Sequence, residues 1–309
     1  MEQFDARIDG IVGMILKDYG TSGRHIDKLD LFSQPDQEQI ADIVRKMMII
    51  LFPGYYRDNV YRSYSDRNRL SVLIEDVLFN LRKQVRMALA YREDTKGLTE
   101  DRLHEMAGDI CLTFFEQIPK VRAMIDTDIQ ATYDGDPASF DIAEVILSYP
   151  GLYATSVNRI AHELYLLKVP LIPRMMTEIA HSSTGIDINP GATIGPYFMI
   201  DHGTGVVIGE TAEIGEHVKI YQGVTIGALS LRGGQTLRGQ KRHPTIEDRV
   251  TIYSGASILG GKTVIGHDAV IGSNVFITQS VGPGTRVMVK NQELVYQNDR
   301  EALFEDCGG

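Results

Sequence analysis

Apolar side chains recur at helical spacing through the first 184 residues. One such stripe consists of Leu70, Leu73, Ile74, Val77, Leu78 and Leu81. Positions three and four apart share one face of a helix. Ser65 followed by Asp66 is a suitable helix start, and Pro53, Pro137 and Pro150 mark breaks. The pattern predicts a helical domain over 1–184, with about seven or eight helices.

From Gly185 the apolar pattern changes to a period of six. The aliphatic positions, in phases that shift along the chain, are Ile188, Ile194, Ile200 and Val206, then Ile208, Ile214, Ile220 and Ile226, then Ile246, Ile252, Ile258 and Val264, then Ile265, Ile271 and Ile277. A small residue often follows the aliphatic one, which lets the chain turn a corner. The repeat predicts a parallel β-helix over 185–283, and residues 284–309 form a C-terminal tail. The predicted fold class is α + β.

A long interruption of the repeat covers residues 229–244, with the sequence LSLRGGQTLRGQKRHP. It carries four basic residues, Arg232, Arg238, Lys241 and Arg242. Insertions in a solenoid leave the stack as loops on one face, which is often the binding face. Closure over a phosphorylated ligand and a merely solvated insertion are equally consistent with this loop.

Composition and charge limit the classes of partner. The chain has 309 residues, 43% of them hydrophobic, which is enough for a proper core. The formal net charge of −10 repels phosphate backbones, so we expect no nucleic-acid partner. Cys111 and Cys307 lack a metal-ligand or redox spacing. No signal pattern or bilayer-length apolar run is present, so we expect a cytoplasmic protein with no membrane partner.

Polar residues interrupt the repeats in three segments, which are IDINPGATIG with Asp187, MIDHGTGVVIGET with Asp201 and His202, and KRHPTI with Arg242 and His243. Together with DIQATYDGDPA upstream, they closely resemble the serine acetyltransferases, over about residues 126–281. Hexapeptide repeats alone indicate only the broad acyltransferase superfamily. The combination of DHGTG…GET with RHP and DGDPA is specific for the serine enzyme. The resemblance implies an N-terminal helical domain, used in oligomerisation, and a left-handed β-helix.

Acetylation of serine requires a base near its hydroxyl, because that hydroxyl is a weak nucleophile at neutral pH. Histidine is the usual base at this pH. His202 is the candidate, and Asp187, fifteen positions earlier, could orient its imidazole from a neighbouring coil. The resemblance assigns the same two residues to a catalytic dyad. An oxyanion donor is also needed, and His243 or a backbone N–H could supply it.

The resemblance also assigns residues to the two substrates. Asp136, contributed by the helical domain, and Asp201 match positions that bind the serine ammonium, and Arg242 and His243 match those that bind its carboxylate. Acetyl-CoA is the expected cosubstrate, with its arm along the β-helix where subunits of a trimer meet. The matching CoA positions are Ala228, Ser254, Gly272 and Ser273.

Three alternatives remain open at the level of sequence. Another hexapeptide acyltransferase would take a sugar, antibiotic or homoserine acceptor, and phosphoserine is also possible, but a sugar offers no ammonium for Asp136 to bind. A zinc hydratase would need three histidines such as His202, His217 and His243, whereas we expect no metal. A scaffold for a partner enzyme would not depend on His202.

The chain departs from the family in two segments near its C-terminus. It reads VMVKNQELVYQND where many relatives have AGVPARIVGKP, and it ends FEDCGG without a C-terminal isoleucine. In relatives that isoleucine enters the active site of O-acetylserine sulfhydrylase, so we expect weak or absent complex formation with that enzyme. The family implies inhibition by cysteine, which mimics serine. It also implies a homotrimer or a dimer of trimers.

Overall fold

The computed structural model describes residues 2–19, 33–57, 65–230 and 232–290. Most of the predicted tail, including the FEDCGG terminus with Cys307, lies outside the described residues, as does Leu231 in the long loop. Among the residues in these ranges, no helix has both the length and the apolar character needed to cross a bilayer.

Eight α-helices occupy the described part of the chain before residue 185. They are α1 Glu2–Tyr19, α2 Gln37–Leu51, α3 Asp66–Leu89, α4 Glu100–Glu116, α5 Ile118–Gly135, α6 Ile142–Ser148, α7 Pro150–Leu166 and α8 Ile172–Thr184. The predicted start at Ser65 is confirmed, because its side chain accepts a hydrogen bond from the Asn68 backbone N–H. Pro150 occupies the first turn of α7, where a proline costs no hydrogen bond.

Helix α7 is the most deeply buried of these helices and joins the helical region to the β strands. Its residues from Ala154 to Ala161 are all buried. Gly151 in its first turn lies directly against the backbone of Ile200, and a Cβ there would come within 2.2 Å of the Ile200 carbonyl oxygen. Only glycine allows this close approach.

Fourteen short strands follow Gly185 among the described residues. They are β1 Asp187–Ile188, β2 Thr193–Ile194, β3 Met199–Ile200, β4 Val207–Ile208, β5 Glu213–Ile214, β6 Lys219–Ile220, β7 Thr225–Gly227, β8 Thr245–Ile246, β9 Thr251–Ile252, β10 Ser257–Leu259, β11 Val264–Ile265, β12 Val270–Ile271, β13 Phe276–Ile277 and β14 Arg286–Val287. All pair in parallel. The predicted parallel β-helix is therefore confirmed.

Three sheets form the faces of a triangular prism. Sheet 1 has the order β1-β4-β7-β10-β13, sheet 2 the order β11-β8-β5-β2, and sheet 3 the order β14-β12-β9-β6-β3. Isoleucines pair with isoleucines in the register, as Ile208 does with Ile226, and their side chains fill the interior. The isoleucines that stack along each sheet thus form one side of the continuous core of the β-helix.

The corners between the sheets carry the polar residues. The 3–1 corner joins sheet 3 to sheet 1 and includes residues 201–206 on the first coil. The 1–2 corner joins sheet 1 to sheet 2 and includes residues 209–212 and the long loop at 228–244. The 2–3 corner joins sheet 2 to sheet 3 and includes residues 215–218.

A buried ion pair fixes α5 and α7 to the first coil. Arg159 donates to both carboxylate oxygens of Asp128, at 2.6 and 2.7 Å. The same guanidinium donates to the carbonyls of Ile194 and Gly195, at 3.1 and 2.8 Å. Asp128 also accepts the Phe198 backbone N–H at 2.9 Å. This network positions the C-terminus of α5 against the β-helix, because every buried charge has a hydrogen-bonding partner.

Candidate active site

Two extra residues place His202 at the surface of the 3–1 corner. Five residues separate Ile200 from Val206 on the first coil, whereas three separate the equivalent Ile220 and Val224 on the second. His202 lies in the longer corner with φ +57°, and 69% of its side chain is exposed. Its imidazole is therefore accessible to a substrate.

Acidic groups surround that imidazole. The buried Asp201 carboxylate lies 3.5 Å from His202 Nδ1. Asp136, at the end of α5, interacts electrostatically with His202 and with Lys219. Lys219 in turn donates to the Gly135 carbonyl at 2.5 Å. The structure thus brings Asp136, Asp201 and His202 together at the 3–1 corner.

Two hydrogen bonds hold Asp136 in its ionised form. The Tyr149 hydroxyl donates to Oδ2 at 2.6 Å, and the Ala138 backbone N–H donates to Oδ1 at 2.9 Å. The Tyr149 bond is the main reason that the pKa of Asp136 lies below its ordinary value. The same bond raises the pKa of Tyr149 to about 12. A carboxylate held in this way suits an ammonium ligand.

Asp187 begins β1 on the same side of the prism, where its backbone N–H donates to the Val206 carbonyl at 2.9 Å. Its carboxylate is bound by Arg174 of α8, with Nη1 to Oδ1 at 3.0 Å and Nη2 to Oδ2 at 3.5 Å. Among the described contacts, the partner of Asp187 is therefore a guanidinium, and the nearest described carboxylate to the His202 ring is Asp201.

Arg242 and His243 lie at the 1–2 corner, where the long loop returns to β8. The guanidinium of Arg242 forms an ion pair with Glu210, and Tyr165 donates to Glu210 at 3.2 Å. Burial is the largest single influence and would raise the pKa of Glu210, but the hydrogen bond and charge of Arg242, the Tyr165 hydrogen bond and the electrostatic interaction with His243 together outweigh it, and the pKa lies below its ordinary value. The Thr211 hydroxyl accepts the backbone N–H groups of Arg242 and His243, at 2.9 and 3.1 Å.

The His243 ring is buried and neutral. Its Nδ1 accepts the Thr211 backbone N–H at 3.0 Å and lies 2.9 Å from the Thr211 hydroxyl. An Nδ1 that accepts a backbone N–H leaves the ring proton on Nε2, which is then a donor. Burial, together with the charge of Arg242, lowers the pKa of His243 to about 4. Gly209 makes room for the ring, because a Cβ there would lie 2.1 Å from its Cδ2.

Three of the four predicted CoA positions share the corner of His202. The backbone N–H of Asp201 on the first coil donates to the second coil, and the residues that follow the equivalent strands repeat this bond from coil to coil up to the fourth, where Gly272 lies. Ser254 follows on the third coil, and its hydroxyl donates to Ser273 at 3.3 Å. Three coil steps span roughly 14 Å at the usual strand spacing. Gly272 and Ser273 line a groove of about 640 Å³ that also contains Tyr253 and Arg286. Ala228 lies instead at the 1–2 corner, after β7.

The two predicted substrate-binding groups are on different corners of one chain. Asp136, Asp201 and His202 are at the 3–1 corner, whereas Arg242 and His243 are at the 1–2 corner, with sheet 1 between them. His217 lies at the 2–3 corner and stacks on Tyr197 at 4.2 Å. The three histidines of the zinc alternative thus occupy three corners of this chain.

Among the described residues, one group of side chains has the spacing of a metal site. Ligand atoms of Glu178, His181 and Asp187 lie within 4.8 Å of one another. The guanidinium of Arg174 contacts both carboxylates of the group. A fixed positive charge there repels a divalent cation, so these residues do not fit a metal.

Sequence reasoning missed the residues that support the site. Tyr149 lies in no repeat position and no recognised segment, although its hydroxyl donates to Asp136. Glu210 and Thr211 lie in the recognised GET segment, but the sequence assigned them no role, and the structure shows that Glu210 pairs with Arg242 and Thr211 hydrogen-bonds to His243.

Comparisons with known proteins agree with this geometry. A family model described as "Serine acetyltransferase, N-terminal" matches residues 69–156. A plasmid-encoded serine acetyltransferase of Synechococcus elongatus is 40% identical over 230 residues, which cover 72% of each chain. Serine acetyltransferase 1 of Entamoeba histolytica, solved with L-cysteine, is 35% identical with a TM-score of 0.70 and covers 83% of this chain and 87% of its own. The Neisseria gonorrhoeae enzyme, solved with serine, is 27% identical with a TM-score of 0.53, over 87% of this chain and 98% of its own.

Helical domain, left-handed β-helix and a corner histidine together define an acyltransferase of the hexapeptide-repeat class. Within that class, the chain belongs to the serine acetyltransferase family. Its reaction is the transfer of an acetyl group from acetyl-CoA to L-serine, the first step of cysteine biosynthesis. The sequence-based predictions of family, fold class and reaction are confirmed.

Proposed function

We propose that His202 is the general base of this reaction and that the serine oxygen attacks the thioester directly. The observation that carries the proposal is the exposed imidazole with the Asp201 and Asp136 carboxylates beside it. The neutral imidazole takes the hydroxyl proton as the new C–O bond forms, and the CoA thiolate then leaves and is protonated. Asp136 and Asp201 bind the ammonium, which places the hydroxyl next to His202.

Asp187 has the role of stabilising the imidazolium that forms on His202. Its pairing with Val207, the residue that directly follows the corner carrying His202, supports this assignment. Acetyl-CoA extends from His202 along the 3–1 corner past Ser254, Gly272 and Ser273, because this column runs into the groove beside Tyr253. Small side chains there leave space for the pantetheine arm.

A second copy of the chain completes each site. Serine is too small to contact both corners of one chain, yet its carboxylate needs the donors Arg242 and His243. A cyclic trimer, in which the 1–2 corner of one copy packs against the 3–1 corner of the next, supplies them. We therefore assign the oligomer as a trimer or a pair of trimers, with the helical domain over 1–184 and a β-helix that starts at 185 and extends past the predicted boundary at 283 to include β14.

Mixing two inactive variants tests both proposals together. His202→Ala should lower kcat by at least ~10²-fold, the effect of removing a general base. Arg242→Ala should lower kcat/KM for serine. If each site takes His202 from one copy and Arg242 from the next, oligomers of the two variants co-expressed in equal amounts regain about a quarter of the wild-type activity, since about one site in four has both residues. No recovery would exclude the shared site, and wild-type turnover by His202→Ala would exclude the base.

Cysteine should compete with serine, because it carries the same ammonium and carboxylate. The Entamoeba relative solved with L-cysteine supports this expectation.

A further inference from the structure

Polar side chains on helix α8 form a row of contacts that ends at Asp187 of β1. Arg174, Glu178 and His181 are spaced four and three residues apart, so they share one face of the helix. Gly185 caps the helix with φ +72°, and β1, which follows it, packs against α8. The fold thus brings Asp187 to a residue thirteen positions earlier in the chain.

The contacts along this face form a sequence of alternating charge. Arg174 binds Asp187 with both terminal nitrogens and also pairs with Glu178. His181 Nδ1 lies 3.0 Å from the other Glu178 oxygen. Burial would raise the pKa of Glu178, but hydrogen bonding with His181 and the charge of Arg174 outweigh it and lower the pKa. Glu178 therefore remains an anion, and its ion pair with Arg174 holds the guanidinium in place next to Asp187.

We propose that Arg174 is a positioning residue for the reaction, which fixes the Asp187 carboxylate in the orientation needed to support His202. The inference rests on the proposed role of Asp187. A carboxylate at the start of a two-residue strand has several accessible rotamers, and a two-pronged guanidinium selects one of them. Arg174 is none of the residues proposed to bind serine or CoA, so its proposed effect passes through Asp187.

The position of Arg174 predicts a specific kinetic result. Loss of the guanidinium disorders Asp187 but leaves Asp136 and Asp201, which hold serine, untouched. Arg174→Gln should therefore lower kcat about 10-fold and leave the serine KM within about twofold. Arg174→Lys keeps the charge without the planar fork and should recover part of the rate. The thermal midpoint should hardly change, because ion pairs that are partly exposed in this way contribute little to stability.

A matched control is available on the β-helix. Arg249 binds Asp268 with two nitrogens, at 2.7 and 2.9 Å, and the two side chains are about half exposed. It lies at the 2–3 corner, away from His202. Arg249→Gln removes an ion pair of the same kind and should leave kcat within about twofold of the wild type.

A double-mutant cycle on the full-length enzyme tests the inference. In an Asp187→Asn background, Arg174→Gln should cause less than about a twofold further loss, since the two residues act as one unit. The inference is overturned if Arg174→Gln alone keeps full kcat, if its loss is undiminished in the Asp187→Asn background, or if Asp187→Asn itself keeps full rate. His202→Ala is measured in parallel. Its loss of activity together with a fully active Arg174→Gln enzyme would reject this inference and retain the proposed base.

Discussion

Arg159→Met would break the buried ion pair that fixes the helical region to the β-helix. The side chains of Arg159 and Asp128 are 7% and 1% exposed. Methionine fills much of the same space but donates no hydrogen bonds. The change leaves the Asp128 carboxylate with the Phe198 N–H and no cation, and it removes the donor from two backbone carbonyls, those of Ile194 and Gly195.

The expected cost follows from the burial of the pair. Removing one partner of a buried ion pair costs about 3–5 kcal/mol, because the remaining charge stays desolvated. The two carbonyls that lose a donor act in the same direction. The exposed pair Arg249–Asp268 contributes far less, because both of its charges remain solvated. Arg159→Met should therefore destabilise the protein several times more than the matched Arg249→Met.

Urea unfolding followed by circular dichroism at one fixed protein concentration measures both variants. The serine KM is measured alongside, because α5 carries Asp136 at its C-terminus and loses its attachment to the first coil. We expect a higher KM for Arg159→Met and an unchanged KM for Arg249→Met. Equal shifts of the unfolding midpoint in the two variants would refute the reasoning. The reasoning would also be refuted if the Asp128→Asn/Arg159→Met double variant lost as much stability as the two single variants together, because coupled partners should lose less than that sum.

Two further predictions concern His243. Because its pKa is about 4 in the folded protein, against an ordinary 6.5, the unfolded chain takes up a proton between these values that the folded chain does not. The free energy of unfolding should therefore fall from pH 6.5 towards pH 4, by up to roughly 3 kcal/mol from this residue. In urea titrations at several pH values, His243→Gln should make this pH dependence weaker. An unchanged pH dependence would contradict a buried, neutral His243 ring. Gly209→Ala should displace the ring and lower kcat/KM for serine by ~10²-fold. The matched Gly282→Ala should leave kcat/KM unchanged, because a Cβ there meets nothing closer than 3.6 Å. Equal kinetics in the two variants would contradict the close packing of Gly209 against the His243 ring.

The sequence alone determined the architecture of the C-terminal half. Isoleucines six residues apart can all be buried if each one points into the interior of a coil of three strands, so that residues eighteen apart stack on the same sheet, as Ile208 and Ile226 do. Helical periodicity likewise determined the helical character of the first half, including the start at Ser65. These are local patterns, so they can be read without knowledge of tertiary contacts.

Polar residues with a distinctive neighbourhood were also accessible from the sequence. Asp201 and His202 stand out because they occupy an aliphatic repeat, and Asp136 because it lies in the DGDPA segment. The sequence did not show, however, that Asp136 lies close to Asp201 and His202. It depends on the end of α5 resting beside the first corner of the β-helix, which the buried Arg159 decides.

Only the tertiary structure decided which partner each charged group has. Asp187 lies opposite Arg174 because β1 packs against α8, and Thr211 meets His243 because the long loop returns to the next coil. Such contacts join residues thirteen and thirty-two positions apart, with no periodicity to signal them. The electrostatics of the site depends on these contacts, because a hydrogen bond or ion pair acts over a few ångströms of space and not along the chain.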